Sequence, residues 1–204
     1  MSPTRATLRQ YGAALRAVLV LTLVLGLAYP LAVTLLAQTL MPDRADGSLL
    51  RAPDGTVVGS ALIGQSFTGA DGRPLPEWFQ SRPSAAGDGH DAGASGGSNL
   101  GPENPDLVAA VEERREAVAA FEGVDPDRVP VDALTASASG LDPHISPGYA
   151  LLQVPRVAHA RDLPEEELRA LVRRSIEGRD LGFLGEERVN VLELNIALDR
   201  WGTS

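Results

Sequence analysis

The stretch "AVLVLTLVLGLAYPLAVTLLAQTL", Ala17 to Leu40, has no charged side chain, and Met41 and Pro42 extend the uncharged run to 26 residues. Roughly 20 apolar residues, rising about 1.5 Å each, cross a hydrocarbon layer of about 30 Å. The run predicts a transmembrane helix over 17–42. It divides the chain into a short tail over 1–16 and a domain over 43–204. Pro30 lies inside the run, and a proline there removes one backbone donor and kinks the helix. A cleaved signal peptide is the rival reading. Its apolar core would span about 7–15 residues and end at a small-residue cleavage site. This run is longer, and no such site follows it closely, so an uncleaved anchor is the expectation.

Charge sets the expected orientation. Arg5, Arg9 and Arg16 precede the helix with no acidic residue among them, whereas all 27 acidic residues follow Pro42. The excess of arginine before the helix predicts a cytoplasmic N-terminus and an extracytoplasmic domain. That domain holds 15 of the 18 arginines, so its formal charge is -12 (15 minus 27). An acidic outer surface concentrates cations, and it equally serves to keep an exported domain soluble.

Composition excludes several chemistries. The chain has no cysteine, hence no disulfide framework, thiolate metal site or cysteine nucleophile. Every basic side chain is arginine, and lysine is absent. A P-loop needs its lysine to reach the phosphates, and Schiff-base and Ser-Lys chemistry fail for the same reason. An acidic chain without a basic stripe also argues against a nucleic-acid partner.

Local patterns predict an α+β domain after the single membrane helix. Val57–Val58 and Ala61–Ile63 read as short strands, and "FQSRPSAAG" (79–87) as another. "GADGRPLPEWF" and "GDGHDAGASGGSN" read as loops. Asn104 is placed to cap a helix with Pro105 at its first position, and Gly123 to end it. Leu107, Val111, Val118 and Phe121 share one face of that helix. Asp132 is expected to start a helical turn. Ser146 caps a helix that Pro155 should split. Asp162 is expected to cap a further helix, with Leu168, Leu171, Val172 and Ile176 facing the core. "RVNVLELNIALDRW" begins as a strand and ends as a helix bearing Leu194, Ala197, Leu198 and Trp201.

Three stretches invite a chemical reading. "SGGSNLGPENP" (95–105) is glycine-rich and opens a helix, as a phosphate-cradling loop does. However, Pro102 and Pro105 donate no N–H, and Glu103 and Asp106 repel an anion, which is the reverse of what a phosphate site needs. "GLDPHIS" sets Asp142 two residues from His144, a pair that a hydrolase could use. No G-x-S-x-G elbow accompanies it, and Asp142 at a turn before Pro143 is the plainer reading. His90, beside Asp88 and Asp91, offers a weak metal site on a loop, against which a solvated loop is the simpler alternative.

Several long strings occur in a fixed order after the membrane helix: "GSALIGQSFTG" (59–69), "SRPSA" (81–85), "ASGGSNLGPENP" (94–105), "LTASASGLDPHISP" (134–147), "QVPRVAHAR" (153–161) and "RVNVLELNIALD" (188–199). Together they resemble the C subunit of the Kdp-type potassium-transporting ATPase over nearly the whole chain. The segments "EWFQSRPSA" and "GDGHDAG", Gly148 to Leu151 and the C-terminal tail depart from that family's usual pattern.

The resemblance implies a complex with a channel-like potassium-translocating subunit, a P-type ATPase subunit and a small hydrophobic fourth chain, all in contact with membrane lipid. It implies an accessory chain that is itself no enzyme and has no cofactor of its own. Such a chain acts as an assembly factor and catalytic chaperone and raises the ATP affinity of the ATPase subunit, where ATP and magnesium would reside. The expected outward-facing domain makes direct nucleotide contact awkward and favours indirect coupling. The candidate subunit-interface residues are Ser95, Gly96, Gly97, Ser98 and Asn99 in one loop, and Thr135, Ser137, Ser139 and Asp142 in another. A tightly packed structural turn is the equal alternative for both loops. A membrane-anchored hydrolase built on Asp142 and His144 remains the alternative function.

Overall fold

The computed structural model describes residues 3–52 and 54–202. Two compact units emerge, Met1–Ser48 and Leu49–Ser204. In the first, α1 (Pro3–Leu23) runs through a π-helical turn (Val24–Ala28) into α2 (Tyr29–Leu40). The wide turn follows from Pro30. A proline has no N–H for the carbonyl four residues back, and its ring collides with that carbonyl in a regular helix. Here the carbonyl belongs to Gly26. The Tyr29 N–H instead bonds five residues back to Val24 O, and the widened turn absorbs the misfit. The helix therefore continues through Pro30, and the residues read as a tail are helical from Pro3 onward. Thr39 returns its hydroxyl to the carbonyls of Leu35 and Leu36 at 2.9 and 3.0 Å, which satisfies that polar group within the helix. A helix of membrane-spanning length and composition covers Thr7–Leu40, and its leucines and valines are exposed along its length. After Met41 a last turn, α3 (Pro42–Ala45), closes the unit.

The second unit mixes helices and small sheets. An antiparallel pair, β1 (Leu49–Arg51) and β2 (Val57–Ser60), precedes a long irregular stretch. Then come α4 (Pro105–Glu122), two 3-10 turns (Pro126–Arg128 and Val131–Ala133), β3 (His144–Ile145), α5 (Pro147–Leu152), α6 (Val154–Arg161), α7 (Glu165–Arg174), β4 (Ile176–Glu177), β5 (Arg188–Asn190) and α8 (Val191–Gly202). The second sheet is antiparallel with order β3-β5-β4. The core gathers Val154 and Val157 of α6, Leu168 and Val172 of α7, Val189 of β5 and Leu194 and Leu198 of α8, all fully buried.

The caps appear where local chemistry placed them. Asn104 Oδ1 accepts from Asp106 N at 2.8 Å, Gly123 ends α4 at φ 67°, and Ser146 Oγ accepts from Tyr149 N at 3.0 Å. The segment around Pro155 splits at Gln153 into α5 and α6. Four expectations change. Ala61–Ile63 forms a turn, because β2 already ends at Ser60. Asp162 is left-handed, with φ 54°, and ends α6; α7 begins after Pro164. Ile176 leaves the helix and pairs with Val189 in β4. The segment "FQSRPSAAG" is no strand. Two buried side-chain amides replace a partner strand there. Asn195 accepts from Phe79 N and donates to Phe79 O at 3.0 and 2.9 Å, and Gln153 does the same for Gln80 at 2.6 and 3.1 Å. Backbone groups that would otherwise be buried unpaired are thereby satisfied.

Candidate subunit interface

The two glycine- and serine-rich loops, far apart in sequence, close on each other. Ser139 O accepts from both Gly96 N and Ser95 Oγ at 2.9 Å. A Cβ on Gly97 would lie 2.8 Å from Ala138 O, and one on Gly140 would lie 2.7 Å from Gly96 O. Gly140 also sits at φ 71°, a conformation that glycine adopts without strain. The "SRPS" segment forms the third side of this knot. Ser84 Oγ donates to Gly140 O at 2.7 Å and accepts from His90 N at 2.9 Å, while Ser137 N donates to Pro83 O at 2.9 Å.

Asp142 anchors the knot electrostatically. Its Oδ2 accepts from Arg82 Nη1 at 3.0 Å, and its Oδ1 lies 3.0 Å from His144 N and 3.2 Å from His144 Nδ1. Arg82 continues to Thr135 O at 3.2 Å. Burial alone would raise the Asp142 pKa. The His144 side chain and backbone N–H and the Arg82 guanidinium outweigh that and bring it down to about 2. Asp142 is therefore a fixed anion with both oxygens engaged.

Of the candidate interface residues, Ser95, Ser98, Asn99 and Ser139 are exposed. Gly96, Gly97, Thr135 and Asp142 are half-buried, and Ser137 is buried. Asn99 is left-handed at φ 53°, which asparagine tolerates. The exposed members sit on a stiff base, so the two loops present one surface instead of two.

A cleft of about 270 Å³ opens beside Asp142, bordered by Arg82, Asp132, His144, Ser146, Glu186 and Arg188 among others. Its nearby hydroxyls have structural tasks. Ser146 Oγ donates to Asp132 Oδ1 at 2.9 Å while capping α5, Ser137 and Ser139 lie 3.2 Å apart, and Ser139 accepts from Leu141 N. Asp142 and His144 thus form two members of a triad-like array, with these serines committed elsewhere.

His90 is drawn inward, contrary to a solvated loop. Its Nε2 is buried without a hydrogen-bond partner, and its ring packs where a Cβ on Gly64 would lie 2.9 Å away. Burial pushes its pKa down. Asp91 Oδ1 turns to Gly93 N at 2.8 Å. Among the described residues, no group of three or more metal-ligating side chains converges.

Sequence reading missed Arg82 as the partner of Asp142, although both lie in the quoted strings. Sixty positions separate them, and no local pattern links an arginine to a distant carboxylate. The roles of Gln153 and Asn195 were hidden for the same reason, since a buried amide among apolar neighbours gives no sign in the sequence of what it holds.

Comparison with known proteins points one way. The family model described as "K+-transporting ATPase, c chain" matches residues 11–200. A potassium-transporting ATPase KdpC subunit of Kineococcus radiotolerans is 59% identical over 191 residues, covering 94% of this chain and 93% of that one. Those of Koribacter versatilis and Mycobacterium tuberculosis are each 52% identical, over 180 residues (88% and 89% of the two chains) and 193 residues (94% and 98%). With an apolar N-terminal helix, a mixed helix and sheet unit and matches over most of its length, this chain belongs to the KdpC family of potassium-transporting ATPase subunits.

Proposed function

We propose that the chain is the non-catalytic accessory subunit of an ATP-driven potassium uptake complex, and that it assembles the complex and raises the ATP affinity of its ATPase subunit. The observation that carries this reading is the match to potassium-transporting ATPase subunits over 94% of the chain. Its partners are a channel-like potassium-translocating subunit, a P-type ATPase subunit that holds ATP and magnesium, and a small hydrophobic fourth chain. The N-terminus is cytoplasmic and the second unit extracytoplasmic, because Arg5, Arg9 and Arg16 precede the apolar helix without an acidic neighbour. From that side the chain influences ATP binding indirectly, by favouring one conformational state of the assembly.

The Asp142–His144 contact is what favours a hydrolase as a second reading. It is the weaker one, since Arg82 takes the other carboxylate oxygen and Ser137, Ser139 and Ser146 have structural bonds.

Co-purification from the native operon at low potassium tests the main reading. A C-terminally tagged chain should bring down the channel and ATPase subunits at a fixed ratio, and deleting its gene should stop growth at low potassium. Recovery of the chain alone, with the other subunits intact, overturns the reading. Turnover by the chain that disappears in His144→Ala would establish the hydrolase instead.

A further inference from the structure

The loop joining β4 to β5 gathers apolar side chains in the open. Leu181 is 83% exposed, Phe183 69% and Leu184 49%. Nowhere else among the described residues of the second unit do three large exposed apolar side chains fall within four positions. Every residue from 178 to 187 is exposed, whereas Phe67, Phe79 and Phe121 are buried or half-buried.

The loop is nevertheless well held. Asp180 N donates to Leu184 O at 3.0 Å, Leu184 N returns to Asp180 O at 2.9 Å, and Gly182 N reaches Arg179 O at 3.0 Å. Arg188 straps its base, with Nε 3.0 Å from Glu177 and Nη1 3.6 Å from Asp180. Leu181 is left-handed at φ 54°, where glycine would turn the chain with less strain. Turn-making therefore does not account for a leucine there. An exposed apolar tip on a hydrogen-bonded loop is instead suited to contact, because its backbone is already held and less ordering cost is met on binding.

We infer that Leu181, Phe183 and Leu184 form a docking knob that enters an apolar pocket with a basic rim on a partner protein of the same complex. This rests on the accessory-subunit reading. Charge selects a protein over lipid. Asp180, Glu186 and Glu187 outnumber Arg179 around the tip, Arg188 is engaged by two carboxylates, and no lysine, tryptophan or tyrosine lies between 178 and 188. An anionic membrane surface attracts basic clusters and repels such an acidic rim.

A photo-reactive phenylalanine analogue in place of Phe183, in membranes expressing the native operon at low potassium, tests the knob; the same probe in place of exposed Val108 on α4 is the control. The expected result is a covalent adduct from position 183 to an identified subunit of the complex. An adduct to lipid only, or none, in membranes where the tagged wild-type chain brings down its partners, overturns the knob but leaves the accessory reading intact. If the tagged wild-type chain brings down no partners, both fall. Phe183→Ser should keep the wild-type unfolding midpoint, since the ring packs in no core, and weaken association with the other subunits about tenfold, the scale of one aromatic anchor. Wild-type association in a folded Phe183→Ser variant also overturns the knob.

Discussion

Arg82 Nη1 and Asp142 Oδ2 meet at 3.0 Å, and that contact ties the "SRPS" segment to the loop that ends in "GLDPHIS". Because the folded carboxyl titrates at about 2, below its unfolded value near 3.9, its contribution is complete above about pH 4 and fades as the pH falls toward 2. Asp142→Asn should destabilise the domain by about 1–2 kcal/mol at pH 7, after allowance for partial exposure, with little difference left at pH 2. Urea unfolding of both proteins at the two pH values measures this. An equal difference at both would show that the charge is immaterial.

His90 shifts in the same direction for a different reason. Its buried ring resists protonation in the folded state, so the unfolded chain takes up the extra proton once the pH falls below about 6.5. Stability should drop between about pH 7 and pH 5 in the wild type. It should drop less steeply in His90→Asn, which keeps a residue tolerant of the left-handed backbone at φ 55°. Chemical unfolding across that range gives the two slopes, and parallel slopes would refute the assignment.

Arg156 joins three segments of the fold. Its Nε binds Glu122 Oε2 at 3.0 Å, its Nη1 reaches the carbonyls of Pro76 and Trp78, and its Nη2 reaches Gln153 Oε1 at 2.8 Å. The Glu122 side chain is 1% exposed, and burial raises its pKa despite Arg156. Arg156→Ala should cost about 3–5 kcal/mol, since it strands a buried carboxylate. Adding Glu122→Leu should recover part of that loss. A thermal-unfolding double-mutant cycle decides it, and a double variant less stable than Arg156→Ala would count against the pairing.

The loop knot depends on two absent side chains. A methyl on Gly140 would meet the Ala86 Cβ at 2.5 Å and Gly96 O at 2.7 Å, on a backbone at φ 71°. Gly140→Ala should cost about 2–4 kcal/mol through overpacking and backbone strain. Hydrogen exchange should quicken in both 94–99 and 135–142. Faster exchange in the second loop alone would mean that the two loops are independent.

Much of this was legible in the residues themselves. The caps at Asn104 and Ser146, the stop at Gly123 and the break near Pro155 need only chemistry within about four positions, and each appears where expected. The misplacements arose where a distant partner overruled local preference. Ile176 continues the apolar face of α7, yet Val189 draws it into a sheet. Phe79 and Gln80 bond through their backbone to the amides of Asn195 and Gln153 instead of to a strand.

Neighbours along the chain suffice to specify the apolar helix, both ends of α4, the cap of α5 and, through the ordered strings, the family. Tertiary structure alone decided that the two small-residue loops form one surface, that Asp142 is locked by Arg82, and that Leu181 and Phe183 stand in the open. A hydrogen bond or a buried face depends on what the folded chain brings within a few ångströms, and residues 60 positions apart carry no local sign of that meeting.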